Sequence, residues 1–355
     1  MTDHILVVNT GSTSTKLAVY RGKEELLLVT LQHSIKEIQA YDQVIDQYPW
    51  RIEIIQETLK KNGIKEEFDA VVGRGGLLKP ISGGVWHVTE AMLKDLKDTR
   101  TAQHASNLSG IIAWEIASSR GIPAFVVDPV VVDELEPVAR ISGLPEIPRK
   151  SIFHALNQKA CGRRAAGELG VSYEACNLII AHLGGGITVG AHRKGRVVDV
   201  NNGLNGDGPF TPERTGTLPA GDLVGLCYCG AYTEKEMLGK IKGKGGLVAY
   251  LGTSNVQEAT ARAEGGESRT MLILEAMAYQ IAKEIGSMAA VLKGDVDAVV
   301  ITGGVAHSSL IVDLITERIS FLGKVLVYPG ENEMEALRDG ALRVLGGEET
   351  AGEYT

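Results

Sequence analysis

The chain opens with an alternation of apolar and polar runs that is typical of a β-hairpin. The apolar runs Ile5–Val8 and Leu17–Tyr20 enclose the polar stretch NTGSTSTK, and a third apolar run covers 26–32. Short apolar runs bounded by glycine and small polar residues predict strands. We therefore expect three strands of a meander at 5–8, 17–20 and 26–32, with the polar stretch at the first turn.

A second stretch of the chain repeats this pattern. Residues 178–196 read LIIAHLGGGITVGAHRKGR, again an apolar run, a glycine-rich turn and another apolar run. An offset of 173 residues places Gly11 on Gly184 and Asn9 on His182, and it also aligns the apolar runs. The repeat predicts a second hairpin of the same kind in the second half of the chain.

A further pair of similar stretches supports an internal duplication. FDAVVGRGG at 68–76 resembles VDAVVITGG at 296–304, with an offset of 228 residues that places Asp69 on Asp297. Two matches in the same order favour duplication over chance similarity of short glycine-rich words. The sequence therefore predicts two similar α/β lobes. The second lobe should carry an insertion of 55 residues, the difference between the offsets of 228 and 173.

Strands and helices are predicted to alternate after each hairpin. Strands are expected at 70–73, 124–128, 297–301 and 325–328, and helices at 36–61, 106–120, 151–169, over most of 222–292, from Ser308 and at 332–346. Residues 1–149 with 334–355 would form one lobe and residues 150–333 the other. A cleft between two such lobes is a common place for a ligand.

Composition argues against several classes of function. Hydrophobic residues make up 44% of the 355 residues, and the formal net charge of −8 provides no basic footprint for nucleic acid. No apolar run approaches the roughly 18 residues of a membrane helix, and the amino terminus lacks the pattern of a signal peptide. The four cysteines match neither a zinc pattern nor a redox pair, which indicates reduced thiols in a cytoplasmic protein.

The two glycine-rich turns are candidate phosphate-binding loops. GSTSTK lacks the second glycine of a Walker A motif and leads into a strand rather than a helix. Backbone N–H groups of such a turn can still form an anion site, to which Asn9, Ser12, Ser14 and Lys16 would add donors. HLGGG at 182–186 would serve in the same way in the second lobe. Each turn taken alone is also compatible with a plain hairpin.

Charged residues follow two of the predicted strands. Asp128 ends AFVVD, at the strand edge where ligands bind in α/β folds, and a carboxylate there can hold Mg²⁺. Capping of the turn before Pro129 is the alternative role for Asp128. Arg74, which lies between glycines in GRGG, has a guanidinium that suits a carboxylate or phosphate. A solvated surface arginine is the alternative there.

Two histidines and one long loop are further candidates. His104 precedes a predicted helix and His154 lies on one, and a structural role is the alternative for both. In the loop GDGPFTPERTG, Thr211-Pro212 has the pattern of a helix N-cap followed by proline, which would place Arg214 in a first helical turn. No signature of a serine or cysteine nucleophile accompanies these residues.

Taken together, these motifs resemble the acetate and butyrate kinase family over nearly the whole chain. The stretches that carry the resemblance are, in order, VVNTGSTSTKLAVY, HASNLSG, VVDPV, IFHALNQKA, AHLGGG, GDGPFTPERTG, ITGGVAHS and ENEMEALRDGAL. GRGGLLKPISGG together with GDGPFTPERTG looks like the butyrate kinase branch. The family belongs to the superfamily of sugar kinases, heat-shock ATPases and actin. The resemblance therefore implies an α/β fold of two duplicated ribonuclease H-like lobes, as in actin-like ATPases, with a nucleotide cleft between them.

The resemblance also implies roles for individual residues. Asn9 matches the asparagine of the first phosphate loop. His104 and His154 match two active-site histidines, of which the second lies close to the transferred phosphoryl group. Asp128 and Glu333 match two acidic residues linked to Mg²⁺. The residues that match the ATP phosphate loop and the adenosine-binding turn are His182, Gly184, Gly185 and Gly186 for the loop and Gly303, Gly304 and Val305 for the turn.

The chain departs from the acetate kinase pattern at several positions. Acetate kinases have HLGNG, with asparagine where this chain has Gly185, and they have arginine in GTRSGD where this chain reads GTLPAGD. Arg214, a few residues earlier, would have to supply the missing charge. The other family arginine lies a few residues upstream of a glycine pair, so its match to Arg74 is approximate.

The predicted reaction is reversible phosphoryl transfer between ATP and butanoate, which gives butanoyl phosphate and ADP with Mg²⁺ as cofactor. Isobutanoate and propanoate remain open as substrates. The alternatives are a sugar or alcohol kinase of the same superfamily, with Asp128 as base, and a heat-shock-type binding module that uses ATP. Arg74 and His104 would bind the acid, with Arg74, Asp128, His154 and Arg214 acting in catalysis. The expected partners are small molecules and further copies of the chain.

Overall fold

The computed structural model describes residues 3–98 and 104–355. The strands are β1 His4–Thr10, β2 Ser14–Arg21, β3 Glu24–Gln32, β4 Ala70–Gly73, β5 Val85–His87, β6 Ala124–Val127, β7 Asn177–Leu183, β8 Ile187–Arg193, β9 Arg196–Val200, β10 Ala298–Gly303, β11 Lys324–Pro329 and β12 Gly352–Glu353. The helices are α1 Ile35–Ile38, α2 Tyr48–Lys61, α3 Glu90–Leu96, α4 Asn107–Ser118, α5 Ala155–Leu169, α6 Ala220–Tyr228, α7 Glu234–Ile241, α8 Gly246–Leu251, α9 Val256–Glu264, α10 Ser268–Val291, α11 Ser309–Ile319 and α12 Glu333–Leu345.

The chain divides into two units. The N-terminal unit is Met1–Val132 with Asn332–Thr355, and the C-terminal unit is Asp133–Glu331. The sequence predicted boundaries at 149/150 and 333/334 instead. The segment after residue 132 belongs to the C-terminal unit because it pairs with β9. Glu136 donates its backbone N–H to the Val198 carbonyl at 3.0 Å.

Each unit contains one sheet, and the two sheets share a core topology. The strand order is β12-β5-β6-β4-β1-β2-β3 in the N-terminal unit and β11-β10-β7-β8-β9 in the C-terminal unit. In both, an antiparallel three-strand meander is joined through its first strand to a parallel strand, which is β4 in one unit and β10 in the other. The predicted pair of duplicated α/β lobes is confirmed.

The duplication extends to register and to single hydrogen bonds. Ile5 pairs with Ala70 in the first sheet, and the residues at the two offsets, Leu178 and Ala298, pair in the second. Asp69 Oδ2 accepts a hydrogen bond from the backbone N–H of His4 at 2.7 Å. Asp297 Oδ2 accepts from the backbone N–H of Asn177, also at 2.7 Å. One carboxylate therefore holds the start of the first strand in each copy.

The two hairpin turns differ in length by one residue. Thr10 pairs with Thr15 across the first turn, whereas Leu183 pairs with Ile187 across the second. The N–H of Gly11 donates to the Ser14 carbonyl at 2.8 Å, and that of Gly184 donates to the Gly186 carbonyl at 3.0 Å. The second turn is the tighter one.

The predicted insertion in the second lobe is confirmed, and it is mainly helical. Helices α6 to α10 lie between β9 and β10. The long helix α10 buries an apolar face that includes Leu274, Ile281 and Ile285 against the apolar face of β7 and β8. Helix α5 packs on β7 and β10 through Cys161, Ala165 and other small residues.

Three local predictions are corrected. The stretch 36–61 is not one helix, because α1, a 3₁₀ turn at Val44–Gln47 and α2 follow one another. Helix α5 begins at Ala155, so His154 is its N-cap residue and does not lie within the helix. No helix begins at Thr211-Pro212, since Arg214 instead pairs with Lys242 in an isolated antiparallel bridge.

Among the described residues, no helix combines the length and apolar composition that a membrane crossing requires.

Candidate active site

In the N-terminal unit, side chains at the ends of two parallel strands converge on Glu333. Asn9 lies near the end of β1, and Arg74 follows β4, its parallel neighbour. Asn9 Nδ2 donates to Glu333 Oε2 at 2.7 Å, and Arg74 Nη2 lies 2.7 Å from Glu333 Oε1. Glu333 is the first residue of α12, a helix that packs on β1, β4 and β6. Three residues predicted from separate motifs therefore form one contact group.

Asp128 directly follows β6, the neighbour of β4 on the other side from β1. Its backbone has a φ of 39°, a left-handed conformation that is uncommon for residues other than glycine. The residue is 2% exposed, and its Oδ1 accepts a 2.7 Å hydrogen bond from the backbone N–H of Gly84. A buried carboxylate in a strained conformation at the carboxyl edge of a sheet is typical of a ligand site.

His104 lies just before α4 in the same unit. Its Nδ1 accepts a 3.2 Å hydrogen bond from the backbone N–H of Ser106, so the neutral ring carries its proton on Nε2. Burial lowers the pKa of His104, and the charge of Arg74 lowers that pKa further. This histidine is therefore suited to donate a hydrogen bond without carrying charge at neutral pH.

The polar residues of the first glycine-rich turn lie at three different positions. Ser12 is exposed at the tip, Ser14 begins β2, and Lys16 lies opposite Asn9 in the β1–β2 ladder. Neighbouring positions across an antiparallel pair share one face of the sheet, so Lys16 and Asn9 share a face.

A buried arginine that the motif analysis missed supports this turn. Arg51, which is 1% exposed, donates through Nη1 to the carbonyls of Gly11 and Ser14, both at 3.0 Å. It also donates to Thr15 Oγ1 at 3.1 Å and to Gln47 Oε1 at 2.8 Å. Burial lowers its pKa to about 10, so the guanidinium keeps its charge at neutral pH. Nε has no hydrogen-bond partner among the described residues.

A signal for Arg51 is present in the sequence. Gln47, Arg51, Ile55 and Leu59 recur every fourth residue, and all four are buried. An arginine on the same buried helical stripe as Ile55 and Leu59 requires polar partners inside the protein, and Gln47 is one of them.

In the C-terminal unit, two of the predicted histidines form a stacked pair. The ring centroids of His154 and His182 are 3.8 Å apart, with an angle of 15° between the planes. His154 Nδ1 lies 2.9 Å from Thr188 Oγ1, and His182 Nδ1 lies 2.7 Å from Asn157 Oδ1. Thr188 is the strand partner of His182, so the pair rests on the β7–β8 hairpin.

The glycines of HLGGG make room for neighbouring polar side chains. A Cβ on Gly186 would lie 2.1 Å from Arg214 Nη1, which shows that this guanidinium packs directly on the loop. Arg214 also donates to the Gly203 carbonyl, and burial lowers its pKa. A Cβ on Gly185 would lie 3.1 Å from Glu213 Oε1. Arg214 thus lies beside the loop although no helix forms there.

The predicted adenosine-binding turn begins at the last residue of β10, the parallel neighbour of β7. Thr302 pairs with His182, and Gly303, Gly304 and Val305 come directly after Thr302. Gly303 has a φ of 93°, and a Cβ there would lie 2.4 Å from the Leu183 carbonyl. Glycine is therefore required for the turn to lie against the end of β7.

A protein-family comparison agrees with this arrangement. A model of the acetokinase family matches residues 146–345, which is more than half of the chain. The chain belongs to the acetokinase family. It is therefore an ATP-dependent carboxylate kinase, and the resemblance to this family drawn from its motifs is confirmed.

Solved structures of family members share its fold. An acetate kinase from Porphyromonas gingivalis has a TM-score of 0.77 at 22% identity, covering 96% of this chain and 99% of that one. A propionate kinase from Francisella tularensis subsp. tularensis SCHU S4 has a TM-score of 0.76 at 19% identity, with coverage of 95% and 98%. An acetate kinase from Entamoeba histolytica has a TM-score of 0.74 at 17% identity, with coverage of 95% and 98%. The predicted fold class is confirmed.

The side chains present fit a magnesium ion bound together with nucleotide. In residues 3–98 and 104–355, no group of three or more His, Cys, Asp or Glu side chains is placed to hold a metal ion alone. Mg²⁺ on a nucleotide needs only one or two protein carboxylates, because phosphate oxygens and water complete its octahedron. Asp128 offers a buried carboxylate, and each oxygen of Glu333, contacted once by Asn9 or Arg74, has a further lone pair for a metal ion.

Proposed function

We propose that this protein transfers the γ-phosphoryl group of ATP to butanoate and catalyses the reverse reaction. The observation that carries the proposal is the pair GRGGLLKPISGG and GDGPFTPERTG, which resembles the butyrate kinase branch. Each stretch supplies one arginine to a group of candidate site residues. Arg74 contacts Glu333, and Arg214 contacts the loop at Gly186.

The reaction requires charge neutralisation more than proton transfer. One oxygen of butanoate forms a bond to the γ-phosphorus while the bond from that phosphorus to the β–γ bridging oxygen breaks, and ADP leaves with the electron pair. The attacking carboxylate is already ionised at neutral pH, so no general base is needed. Phosphoryl transfer of this kind depends on positioning and on electrostatic stabilisation.

The cationic and hydrogen-bonding residues have distinct proposed roles. Arg74 and His104 bind the carboxylate of the acid, and Arg74 also stabilises the charge that develops during transfer. His154 donates a hydrogen bond to the transferred phosphoryl group, and Arg214 takes the place of the arginine absent from GTLPAGD.

Nucleotide and metal are proposed to use the two glycine-rich turns and the acidic residues. Asn9, Ser12, Ser14 and Lys16 bind phosphate in the N-terminal unit. In the C-terminal unit, the phosphate loop and adenosine-binding turn are the residues His182, Gly184, Gly185 and Gly186 with Gly303, Gly304 and Val305. Mg²⁺ supplies positive charge at the phosphates when bound, and Asp128 and Glu333 would hold it.

Trapping of the acyl phosphate tests the proposal. With ATP, Mg²⁺ and hydroxylamine, we expect hydroxamate from butanoate, with a higher kcat/KM than from acetate, propanoate or isobutanoate. Arg74→Ala should lose most of this activity. Arg21→Ala, which breaks an exposed ion pair with Glu24 in the same unit, should retain it. Absence of hydroxamate from all acids of two to five carbons would reject the function. A clear preference for another acid would reject butanoate alone.

A further inference from the structure

Strand β8 has one apolar and one polar face, and the polar face is buried. Ile187, Val189 and Ala191 belong to the core under α10. The alternate residues Thr188 and His192 are 0% exposed and lie on the side of α5. Burial of polar groups on this scale requires hydrogen-bond partners.

These partners form a continuous chain that ends at His154. Tyr173 Oη lies 2.7 Å from His192 Nδ1, and His192 Nε2 lies 2.9 Å from Gln158 Oε1. Gln158 Nε2 donates to Thr188 Oγ1 at 2.9 Å, and Thr188 Oγ1 lies 2.9 Å from His154 Nδ1. Every link lies within the C-terminal unit.

Glycine at position 190, between the two polar residues of β8, makes space for the amide. A Cβ there would lie 2.5 Å from Gln158 Oε1 and 3.2 Å from His192 Nε2. The side chain of Gln158 is thus fitted closely into the strand surface.

A backbone carbonyl sets the donor-to-acceptor direction of this hydrogen-bond chain. Gln158 Nε2 lies 3.0 Å from the carbonyl oxygen of Thr188, which can only accept a hydrogen bond. The amide nitrogen must therefore face Thr188, and Oε1 must face His192. The amide nitrogen then donates to the carbonyl and to the hydroxyl of Thr188. The hydroxyl has one proton of its own to donate, and His154 Nδ1 lies 2.9 Å from it.

At Tyr173 and His192, the far end of the hydrogen-bond chain, hydrogen bonds are donated in the same direction. Burial lowers the pKa of His192 far below its usual value, and the charges of Lys159 and Arg163 lower it further. A neutral His192 donates through Nε2 to Gln158 and accepts at Nδ1 from the hydroxyl of Tyr173. The groups from Tyr173 to His154 therefore all donate in one direction.

We propose that Thr188 and Gln158 are positioning residues that hold His154 as the neutral Nε2–H tautomer, so that its Nε2–H donates to the transferred phosphoryl group. This inference rests on the proposed function for the identity of the acceptor. The tautomer itself is inferred from the hydrogen bonds, without reference to the reaction. With an N–H at Nδ1 of His154 instead, the Thr188 hydroxyl would accept from both Gln158 and His154, and its own proton would have to leave this hydrogen-bond chain.

The stacked partner has the opposite tautomer. Asn157 Nδ2 donates to the Glu331 carbonyl at 2.9 Å, which orients its Oδ1 towards His182. His182 Nδ1 must then donate to Asn157 Oδ1, so Nε2 carries the lone pair in the neutral ring. Two parallel rings thus present an N–H donor at Nε2 in one case and an acceptor at Nε2 in the other.

Nitrogen NMR tests the tautomer without reference to activity. In protein labelled with ¹⁵N-histidine, His154→Gln identifies the His154 signals. We expect the wild-type ring in the Nε2–H form only. Thr188→Ser should preserve that form, whereas Thr188→Val and Gln158→Met should give a measurable Nδ1–H population. Tyr173→Phe is the matched control, because the Thr188 carbonyl still anchors Gln158 when the distal hydroxyl is removed.

Kinetics test the consequence of the tautomer. Thr188→Val and Gln158→Met should lower kcat about tenfold or more, as does removal of a partner that orients a metal-binding histidine, with KM for ATP and butanoate nearly unchanged. Thr188→Ser and Tyr173→Phe should stay near wild type. A wild-type Nδ1–H tautomer, or an unchanged kcat in both Thr188→Val and Gln158→Met, would overturn the proposal. A wild-type protein inactive on every acid would reject the proposed function, while NMR would still decide the tautomer.

Discussion

The two glycine-rich turns occupy the same place in duplicated sheets, yet the arginine near each turn is placed differently. In the first, Arg51 is buried and binds the carbonyls of Gly11 and Ser14. In the second, which is one residue shorter, Arg214 lies beside the turn against Gly186. Both turns acquire a guanidinium, but only the second has one that is partly accessible, with 21% of its side chain exposed. The two copies therefore share their strands, but the guanidinium groups of Arg51 and Arg214 are placed differently relative to the turns.

The strand positions beside the turns also differ, with the exposed residue now in the first hairpin. Lys16 lies opposite Asn9 in the first hairpin, and Thr188 lies opposite His182 in the second. A charged residue at an exposed position is thus replaced by a buried hydroxyl that begins a hydrogen-bond chain. Duplicated hairpins can therefore diverge when a charged residue in one copy corresponds to a buried hydrogen-bonding residue in the other.

The largest effect that we expect comes from adding one methyl group to the second glycine-rich turn. Gly186→Ala should displace the Arg214 guanidinium and lower kcat about a hundredfold, the usual effect of losing one group that stabilises transition-state charge. The thermal midpoint should change little, because the displaced group is the end of a flexible side chain.

The control is Gly11→Ala in the other turn. Its Cβ would lie 3.2 Å from Ser14 Oγ, and Gly11 does not have a positive φ. We expect a smaller loss of kcat than for Gly186→Ala. Equal losses in the two variants, measured by coupled ADP release, would show that the turns do not differ as described.

A second prediction concerns the stability of the first turn. Arg51→Met should lower the free energy of unfolding by about 2 to 4 kcal/mol, because several buried carbonyl and hydroxyl acceptors lose their donor. Urea denaturation measures this change. The matched control is Arg120→Met, which removes the guanidinium that binds the Ile116 carbonyl and Glu66 at the end of α4. A loss no greater than that of Arg120→Met would argue against support of the turn by Arg51.

The smallest effect should be the same in both copies. Asp69→Asn and Asp297→Asn each weaken one carboxylate hydrogen bond to the first strand, and each should cost about 1 kcal/mol of stability. Neither should alter kcat by more than about twofold, since both residues lie at the opposite strand ends from the turns. A loss confined to one variant, again by urea denaturation, would show that the two copies no longer use this bond equally.

Local periodicity predicted most of the fold because the duplicated segments carry strong strand signals. The offsets found in the sequence place Leu178 and Ala298 in the register that the structure shows. The helical prediction for Thr211-Pro212 was wrong because the bridge between Arg214 and Lys242 is a contact distant in sequence. A local capping pattern cannot exclude such a contact.

The candidate site was predicted only in part, for a related reason. Asn9, Arg74 and Glu333 come from three separate motifs, and their contact depends on the packing of α12. Gln158 lies within IFHALNQKA and His192 within the second hairpin stretch, but the motifs assigned neither a role, although the alternation of polar and apolar residues along β8 marks a polar face. The roles of the site residues remain predictions, as does the preference for butanoate.

The contact between Gly186 and Arg214 also restricts the order in which the sequence can evolve. Any side chain at position 186 would collide with the Arg214 guanidinium. A residue larger than glycine can therefore occupy this position only after that arginine has been lost or has moved. Loss of the arginine first would remove a cation from beside the loop. Under the role proposed for Arg214, the two positions are therefore expected to change together, with a second cation arising elsewhere.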